Sequence, residues 1–483
     1  MSTQVSKNIF SLTASRMVAL VLLFFAYREL FPYLGTEGTG QYQFILSYVL
    51  IFSIIVDFGI QQFITKKISG NPGETKQYFL EFFSFEVVVA GVLYLLLLVI
   101  ALLQHYDRVI LYGVALAGLG MVFNALTYPY LAVMAAFQDL RKVAWINFLN
   151  SCVNIAIIFL AIIFHRYVVF LAATQLVFGI LGLILYRFLV RRHIADLSIV
   201  KNLNLFDFHL IKNILRQGWP FALLVGFSAL YNRIDIIIIT YLKGYEQTGL
   251  YSAAYKIFDL LGFFPSVVSF TLFPFFTSLM SKGAVAEVKV NLEKYLKLML
   301  MAALPMAVGG MILSRKLIML MTHSDPRFAG SAGVLAILIW APAILFVYIP
   351  LNSLVLSQLT KKAMVITGAN VVINSVGNLL LIPHFGIKAA AAMTVVSESL
   401  QGIFYFYFVR KNITNFNFLT SAIKPLAAAA IMGAVLWPIR DRQLFISLPV
   451  GAAVYFFALF ISGFVKKEDL AVLKNLFRPS SAS

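Results

Sequence analysis

Long apolar runs separated by short polar gaps make up almost the whole chain. A helix needs about 20 apolar residues to cross the hydrocarbon core of a bilayer. By that measure the pattern predicts fourteen membrane-spanning helices, near residues 10–31, 41–63, 79–103, 109–136, 143–164, 167–188, 218–242, 250–280, 296–314, 328–356, 363–382, 387–409, 421–439 and 443–464. The predicted fold class is therefore an all-α polytopic membrane protein.

One polar gap is repeated in the chain. Residues 35–42 (GTEGTGQY) are echoed by residues 244–251 (GYEQTGLY), with the same amino acid at five of eight positions. Each copy lies between two long apolar runs, so the same hairpin occurs twice and the chain is predicted to be an internal duplication. Two membrane halves built from one bundle are the usual architecture of an alternating-access transporter, with the substrate site where the halves meet.

A second echo supports the duplication. Residues 150–154 and residues 374–378 both read Asn-Ser-x-x-Asn. The spacing of four places the two amides of each copy on one face of a helix. Inside a bilayer, such amides either bond a neighbouring helix or face water, and the sequence leaves both interpretations open.

The repeats and gaps predict the domain organisation. Two six-helix bundles, at 1–188 and 218–409, are joined by a basic cytoplasmic linker at 189–217. Two additional membrane helices follow at 410–464, with a cytoplasmic tail at 465–483.

Composition and charge agree with a membrane protein. The chain is 61% hydrophobic and 12% charged, whereas soluble domains carry about 25% charged residues. The net charge is +18, but the basic residues are scattered over many short loops, which favours contact with anionic lipid and predicts no nucleic acid partner. Twenty-five basic residues fall in one alternate set of gaps and ten in the other, so the positive-inside rule places both termini in the cytoplasm.

The positions of cysteine and histidine limit which disulfide, metal and cofactor sites the chain can form. Cys152 is the single cysteine and lies in an apolar run, which excludes a disulfide framework and a cysteine metal cluster. The six histidines fall in gaps or at span edges, so neither a cofactor nor a metal site is predicted. The first apolar run has no small-residue cleavage site and is interpreted as the first span.

Three segments together carry a family resemblance: Asn232–Asp235 (NRID), Gly249–Lys256 (GLYSAAYK) and Pro383–Ala390 (PHFGIKAA). They resemble the polysaccharide-transporter branch of the multidrug/oligosaccharidyl-lipid/polysaccharide exporter superfamily, and the resemblance covers essentially the whole chain. Lys388 departs from the family pattern, in which a glycine is common at that place. These motifs are turns and helix ends, and they say little about the substrate.

The resemblance implies a V-shaped, alternating-access transporter. Its implied task is to flip undecaprenyl-pyrophosphate-linked oligosaccharide repeat units, as in O-antigen assembly, from the cytoplasmic to the periplasmic leaflet of the bacterial inner membrane. The implied partners are the lipid-linked glycan, membrane lipids, and the polysaccharide polymerase and chain-length machinery.

Three basic residues inside spans are candidates for binding the diphosphate of such a substrate: Arg16, Arg233 and Lys256. An ionisable group in a span is costly unless it faces a cavity or a partner. Asp235 and Lys256 lie at the same depth, about 10 Å from the hairpin between their spans. We therefore predict an Asp235–Lys256 structural ion pair, with Arg233 as the cavity charge. The alternative is that these charges only neutralise one another and bind no ligand.

Glu398 is the candidate for coupling transport to an ion gradient. It lies about 16 Å into its span from the end near Ile387, close to the bilayer midplane. A carboxylate at that depth is what proton or sodium coupling would use. The alternative is a structural carboxylate hydrogen-bonded to a neighbouring helix.

Three other functions are alternatives to this transport function. A cation-coupled multidrug exporter of the same superfamily would favour an acidic and aromatic cavity, whereas the embedded residues here are basic. A peptidoglycan-precursor flippase handles a closely related polyprenyl diphosphate, and the sequence does not separate it. A membrane-bound polysaccharide polymerase usually has a large outer loop, and a membrane acyltransferase has a buried histidine. The outer gaps of this chain are short and its histidines are peripheral, so an enzyme is not predicted.

Overall fold

The structure, a computed structural model, describes residues 3–57, 60–165, 167–194, 223 and 226–464. The side chains of residues 3–16, 57, 266, 270 and 420 lie outside that description. The chain forms two compact units, one within residues 1–249 and one within residues 250–480. The predicted linker at 189–217 and tail at 465–483 lie mostly outside the described residues, and the predicted domain organisation stays a prediction.

The first unit is built from helices. They are α1 (Thr3–Asp57), α2 (Ile60–Gly70), α3 (Thr75–Leu103), α4 (Arg108–Ala125), α5 (Tyr128–Ala136), α6 (Leu140–Ile163), α7 (Val168–Ala172) and α8 (Thr174–Val190). Residues 226–231 are also helical, and α9 (Ile234–Ser281), which follows them, begins in this unit and continues in the second.

The second unit is also helical. After α9 it contains α10 (Val285–Ile312), α11 (Ser314–Met321), α12 (Ser331–Leu338), α13 (Trp340–Gln358), α14 (Thr360–Phe385), α15 (Ile387–Asn412), α16 (Phe418–Ile439) and α17 (Leu444–Ile461). Short 3₁₀ turns lie at Pro72–Glu74 and Pro326–Phe328.

Glycines set the breaks between consecutive helical segments. Gly35, with φ 68°, interrupts α1, and Gly244, with φ 81°, interrupts α9. These are the first residues of the two copies of the repeated phrase. Gly386, with φ 66°, separates α14 from α15. Positive φ combined with ψ near 180° is essentially restricted to glycine, so the repeated glycine is what permits the same kink in both copies.

The core of the first unit forms where short helices meet long ones. Ile60, Ile64 and Ile68, spaced by four residues on one face of α2, are at most 1% exposed. They belong to one buried cluster with Phe79 and Tyr130, whose ring centroids are 4.9 Å apart. α1 packs against α4, α6 and α7, and α4 packs against α8.

In the second unit, α15 is the central element for the buried polar residues. It packs against both α13 and α14, while α10 packs against α13 and α16, and α16 packs against α17. Apolar clusters that include Leu298, Met432 and Tyr455 fill the space around α10, α16 and α17. The polar side chains on α14 and α15 are therefore held in a packed helical environment.

The fold class is confirmed as an all-α, multi-pass membrane architecture. Among the described residues, eleven helical stretches are long and apolar enough to span a bilayer. Two of them, Met17–Gly70 and Gly226–Ser281, contain the breaks at Gly35 and Gly244. The predicted twelfth span is a helix, Ile387–Asn412, but it is not one of the eleven. The count of fourteen spans stays a prediction.

Candidate functional site

Three asparagines form a buried polar row on one face of α14. Asn370, Asn374 and Asn378 are spaced by four residues and are 3%, 1% and 0% exposed. Asn378 Nδ2 donates to Asn374 Oδ1 at 3.0 Å, and Asn374 Nδ2 donates across to Ser397 Oγ of α15 at 3.2 Å. The second copy of the Asn-Ser-x-x-Asn motif thus bonds a neighbouring helix, which was one of the two interpretations left open.

The polar row continues along α15. Asn370 Nδ2 donates to Gln401 Oε1 at 2.5 Å, and Gln401 Nε2 donates to the Tyr405 hydroxyl at 3.4 Å. Among the described residues, Asn370 Oδ1 and Asn378 Oδ1 have no hydrogen-bond donor. A buried acceptor without a donor costs about 1–3 kcal/mol. These two oxygens therefore keep unused acceptor capacity inside the helix packing.

Glu398 lies beside Ser397 within this row and is 4% exposed. The hydroxyl of Tyr348, on α13, donates to Glu398 Oε2 at 2.5 Å. The carboxylate thus has a hydrogen-bond partner on a neighbouring helix, as its structural interpretation requires. Such a bond is equally compatible with a carboxylate that changes protonation during transport, so the coupling role stays a prediction.

Lys256 has an acidic partner on its own helix. Lys256 Nζ lies 3.7 Å from Asp259 Oδ2, three residues later on α9, with side-chain exposures of 17% and 30%. This spacing places both side chains on one helix face. Asp235, the partner predicted from sequence, is 2% exposed and belongs to the first unit. The Asp235–Lys256 pair stays a prediction.

Arg233 lies at the turn that leads into α9. Its backbone N–H donates to the Leu230 carbonyl at 3.1 Å, and Asn232 Nδ2 donates to the Ser228 carbonyl at 2.7 Å. The Arg233 side chain is half-buried. The side chain of Arg16 lies outside the described residues. The grouping of Arg16, Arg233 and Lys256 around one ligand stays a prediction.

The two copies of the repeated phrase meet each other within the first unit. A Cβ added to Gly40 would lie 1.8 Å from the carbonyl oxygen of Tyr245. A Cβ added to Gly249 would lie 1.8 Å from the carbonyl oxygen of Thr36. Gly40 and Gly249 occupy the sixth position of each copy, and Thr36 and Tyr245 the second. The contact is therefore reciprocal, and only glycine allows the two backbones to approach so closely.

Aromatic side chains surround this glycine crossing. The cluster consists of Phe44, Tyr48, Tyr106, Tyr241 and Tyr245. The Phe44 ring centroid lies 5.5 Å from that of Tyr106 and 5.8 Å from that of Tyr245. The hydroxyls of Tyr106 and Tyr241 are hydrogen-bonded, and Tyr241 donates to Gln104 Oε1 at 2.9 Å. Burial, followed by the Tyr241 hydrogen bond, raises the pKa of Tyr106, so its phenol is neutral at physiological pH.

Sequence reasoning missed several members of these clusters. Tyr348 and Asn370 carry no motif, and their roles come from helices brought together by the fold. Gly40 and Gly249 did have a signal, because glycine stands at the same place in both copies of the phrase.

Comparison with known protein families gives two matches. Residues 5–280, more than half of the chain, match the family described as "Polysaccharide biosynthesis protein". Residues 220–380 match the MatE family.

Individual relatives and solved structures share 25% or less of their sequence with this chain over the matched regions. The chain is 25% identical over 232 residues to "Probable flippase AglR" of Haloferax volcanii, covering 47% of this chain and 48% of that protein. It is 25% identical over 245 residues to an uncharacterized membrane protein of Methanocaldococcus jannaschii, covering 50% and 47%. The chain therefore spans about half the length of these curated relatives. The solved structure of "Lipid II flippase MurJ, inward closed conformation" has the same fold, with a TM-score of 0.72 and 13% identity over 94% of this chain and 99% of that one.

Proposed function

We propose, from the premise that this chain belongs to the polysaccharide biosynthesis protein family, that it is a flippase for a lipid-linked glycan. One observation carries the proposal. The fold matches that of the Lipid II flippase over 94% of this chain. The partial similarity to a probable flippase of Haloferax volcanii supports the same class of activity.

The substrate that we propose is an undecaprenyl-pyrophosphate-linked oligosaccharide repeat unit of the O-antigen type. It moves from the cytoplasmic to the periplasmic leaflet of a bacterial inner membrane, and both chain termini lie in the cytoplasm. A polysaccharide polymerase and its chain-length machinery then use the flipped product.

The physical task is to carry a diphosphate and many hydroxyls through hydrocarbon, where unsolvated charge is costly. Arg233, Arg16 and Lys256 are proposed to neutralise the diphosphate within an alternating-access cavity. The polyprenyl chain stays in the lipid, so the protein replaces the solvation of the head group alone.

The test is a flipping assay in proteoliposomes with a fluorescent lipid-linked oligosaccharide in both leaflets. Membrane-impermeant dithionite bleaches the outer leaflet, and a flippase exposes the inner pool as well. We expect nearly complete bleaching with the protein and about half in empty liposomes. The same probe without the diphosphate serves as the specificity control. Bleaching that does not exceed the empty-liposome level would refute the proposal.

A second candidate is a cation-coupled multidrug exporter, and the MatE match over residues 220–380 favours it. The same proteoliposomes loaded with a cationic dye separate the two functions. Gradient-driven dye release without glycan flipping would indicate the exporter. A peptidoglycan-precursor flippase is the nearer alternative, and a labelled peptidoglycan precursor in the bleaching assay distinguishes it.

A further inference from the structure

A cavity of about 520 Å³ lies at one end of the second unit, and its lining residues are different from those of the polar row of α14 and α15. It is bounded by the start of α10, the end of α15 and the start of α16. Its wall includes the cations Lys289 and Arg410 and the apolar side chains Phe406, Phe416, Phe418 and Leu419. This volume is in the range of pockets that bind small molecules.

Arg410 is held in a defined orientation in this cavity. Its Nε donates to Asn415 Oδ1 at 2.9 Å, and its guanidinium carbon lies 5.4 Å from the centroid of the Phe406 ring. Its two terminal amino groups make no hydrogen bond to the residues that the structure describes. A guanidinium fixed at Nε with both terminal groups available is suited to a phosphate, which accepts two parallel hydrogen bonds.

Lys289 supplies the second charge. It is exposed at the rim, and within the described part of the chain it has neither a hydrogen-bond nor an ion-pair partner. Glu293, the nearby carboxylate one turn further along α10, accepts a hydrogen bond from the Asn417 backbone N–H at 3.1 Å. Among the described residues, the cavity wall therefore carries two positive charges and no carboxylate.

The surroundings place this cavity at a membrane surface. Three other cations at the same end of the unit lie over aromatic rings: Lys297 over Phe464 at 4.6 Å, Lys362 over Phe408 at 4.8 Å and Lys411 over Tyr407 at 5.3 Å. Aromatic rings and basic side chains concentrate at the boundary between bilayer and water. This end of the unit also carries the basic gaps that the positive-inside rule assigns to the cytoplasm.

An apolar stripe leads away from the cavity along α16. Leu419 lines the cavity, and Ile423 and Leu426 follow at spacings of four and three, so the three share one helix face. They are 69%, 62% and 52% exposed. A ligand that fits both parts has an anionic head for the cavity and a hydrocarbon chain for the stripe.

We propose that this cavity binds the phosphate head group of an anionic lipid. Arg410 and Lys289 contact the phosphate, the three phenylalanines enclose the glycerol or first isoprene region, and the chain lies along Leu419, Ile423 and Leu426. The site needs only an anionic lipid that bears a phosphate, so this proposal stands whether or not the flippase assay succeeds.

The experiment uses the full chain purified in mild detergent, with lipid retention measured by native mass spectrometry. Phosphatidylglycerol, phosphatidylcholine and undecaprenyl pyrophosphate are added separately. We expect the wild type to retain phosphatidylglycerol, undecaprenyl pyrophosphate or both about tenfold better than phosphatidylcholine. The ratio of the first two identifies the source of the phosphate as the bilayer or the polyprenyl carrier.

Substitutions then locate the site. Arg410→Ala and Lys289→Ala should each lower retention about tenfold, the effect of losing one charge-assisted hydrogen bond. Lipid retention by Arg410→Lys should lie between that of the wild type and that of Arg410→Ala, because lysine keeps the charge but lacks the two parallel N–H donors of the guanidinium. The matched control is Lys411→Ala, which removes the same charge one residue away, where Nζ donates to Tyr407 instead. Within the described ranges Lys289 has no partner to lose, so its variant tests binding even if Arg410→Ala unfolds. The proposal would be overturned if the wild type retained phosphatidylcholine as well as the two anionic lipids. It would also be overturned if retention were unchanged in both Arg410→Ala and Lys289→Ala.

Discussion

The α-carbon of Gly40 lies against the carbonyl of Tyr245, so close that a Cβ at residue 40 would stand 1.8 Å from the carbonyl oxygen. Gly249 makes the equivalent contact with Thr36. The repeated phrase thus encodes a symmetric helix crossing as well as a hairpin. Close backbone approach through glycine is a recurrent way of packing helices in membranes, because van der Waals contact there replaces the hydrophobic effect.

The first prediction concerns this crossing. Gly40→Ala and Gly249→Ala should each destabilise the purified protein by about 1–3 kcal/mol or more, because the added methyl forces two backbones apart. The control is Gly91→Ala in α3, where a Cβ meets no atom within 4 Å. That variant should be neutral or stabilising by up to about 1 kcal/mol. Thermal unfolding in detergent measures all three, and equal unfolding temperatures for Gly40→Ala and Gly91→Ala would contradict the crossing.

The asparagine row gives a second prediction. Asn374→Ala removes the bonds to Ser397 and Asn378 and should destabilise the protein by about 1 kcal/mol, near the range measured for polar contacts between membrane helices. Ser375→Ala is the matched control, since this neighbouring residue makes no hydrogen bond within the described residues through its side chain. Unfolding temperatures that fall equally in both variants would show that the row contributes no specific stability.

Substrate recognition gives a third prediction. Arg233→Ala should abolish export of surface polysaccharide at normal protein level, because the site loses a fixed positive charge that would bind the diphosphate. Arg233→Lys should be partly active, since the charge remains but the planar fork does not. Arg108→Ala, which removes an exposed charge at the start of α4, should export normally. Gel analysis of surface glycan with immunoblotting of the protein provides the measurement, and normal export by Arg233→Ala would remove this residue from the site.

Coupling gives a fourth prediction, based on the burial of Glu398. Wild-type flipping in proteoliposomes should respond to a pH gradient, and Glu398→Gln should lose that response because an amide cannot exchange a proton. Tyr348→Phe, which removes the hydroxyl bound to the carboxylate, should keep the response. Glu86→Gln is the control, since Glu86 is a second fully buried carboxylate. A gradient response of equal size in wild type and Glu398→Gln would make the carboxylate structural.

Orientation gives a fifth prediction, from the uneven distribution of basic residues. Reporter fusions after Lys201 and after Lys467 should both report cytoplasm, whereas a fusion after Gly244 should report periplasm. Paired reporters, one active on each side of the membrane, make the measurement. A periplasmic signal after Lys201 is incompatible with the predicted spans.

The sequence by itself determined the features that depend on neighbours along the chain. Apolar runs long enough for a bilayer predicted the helical membrane fold, and the repeated phrase predicted equivalent hairpins, whose glycines Gly35 and Gly244 break the helices. These inferences succeed because helical geometry and glycine φ/ψ freedom are local properties.

Only the tertiary structure decided which residues meet across helices. Tyr348 reaches Glu398 from fifty residues away, Asn370 bonds Gln401, and Lys289 joins Arg410 at one cavity. The spacing along the chain constrains none of these pairs, because each depends on how two helices are rotated and packed against each other. In a chain where nearly every helix is apolar, the hydrophobic pattern leaves that rotation open, and the close packing of side chains settles it.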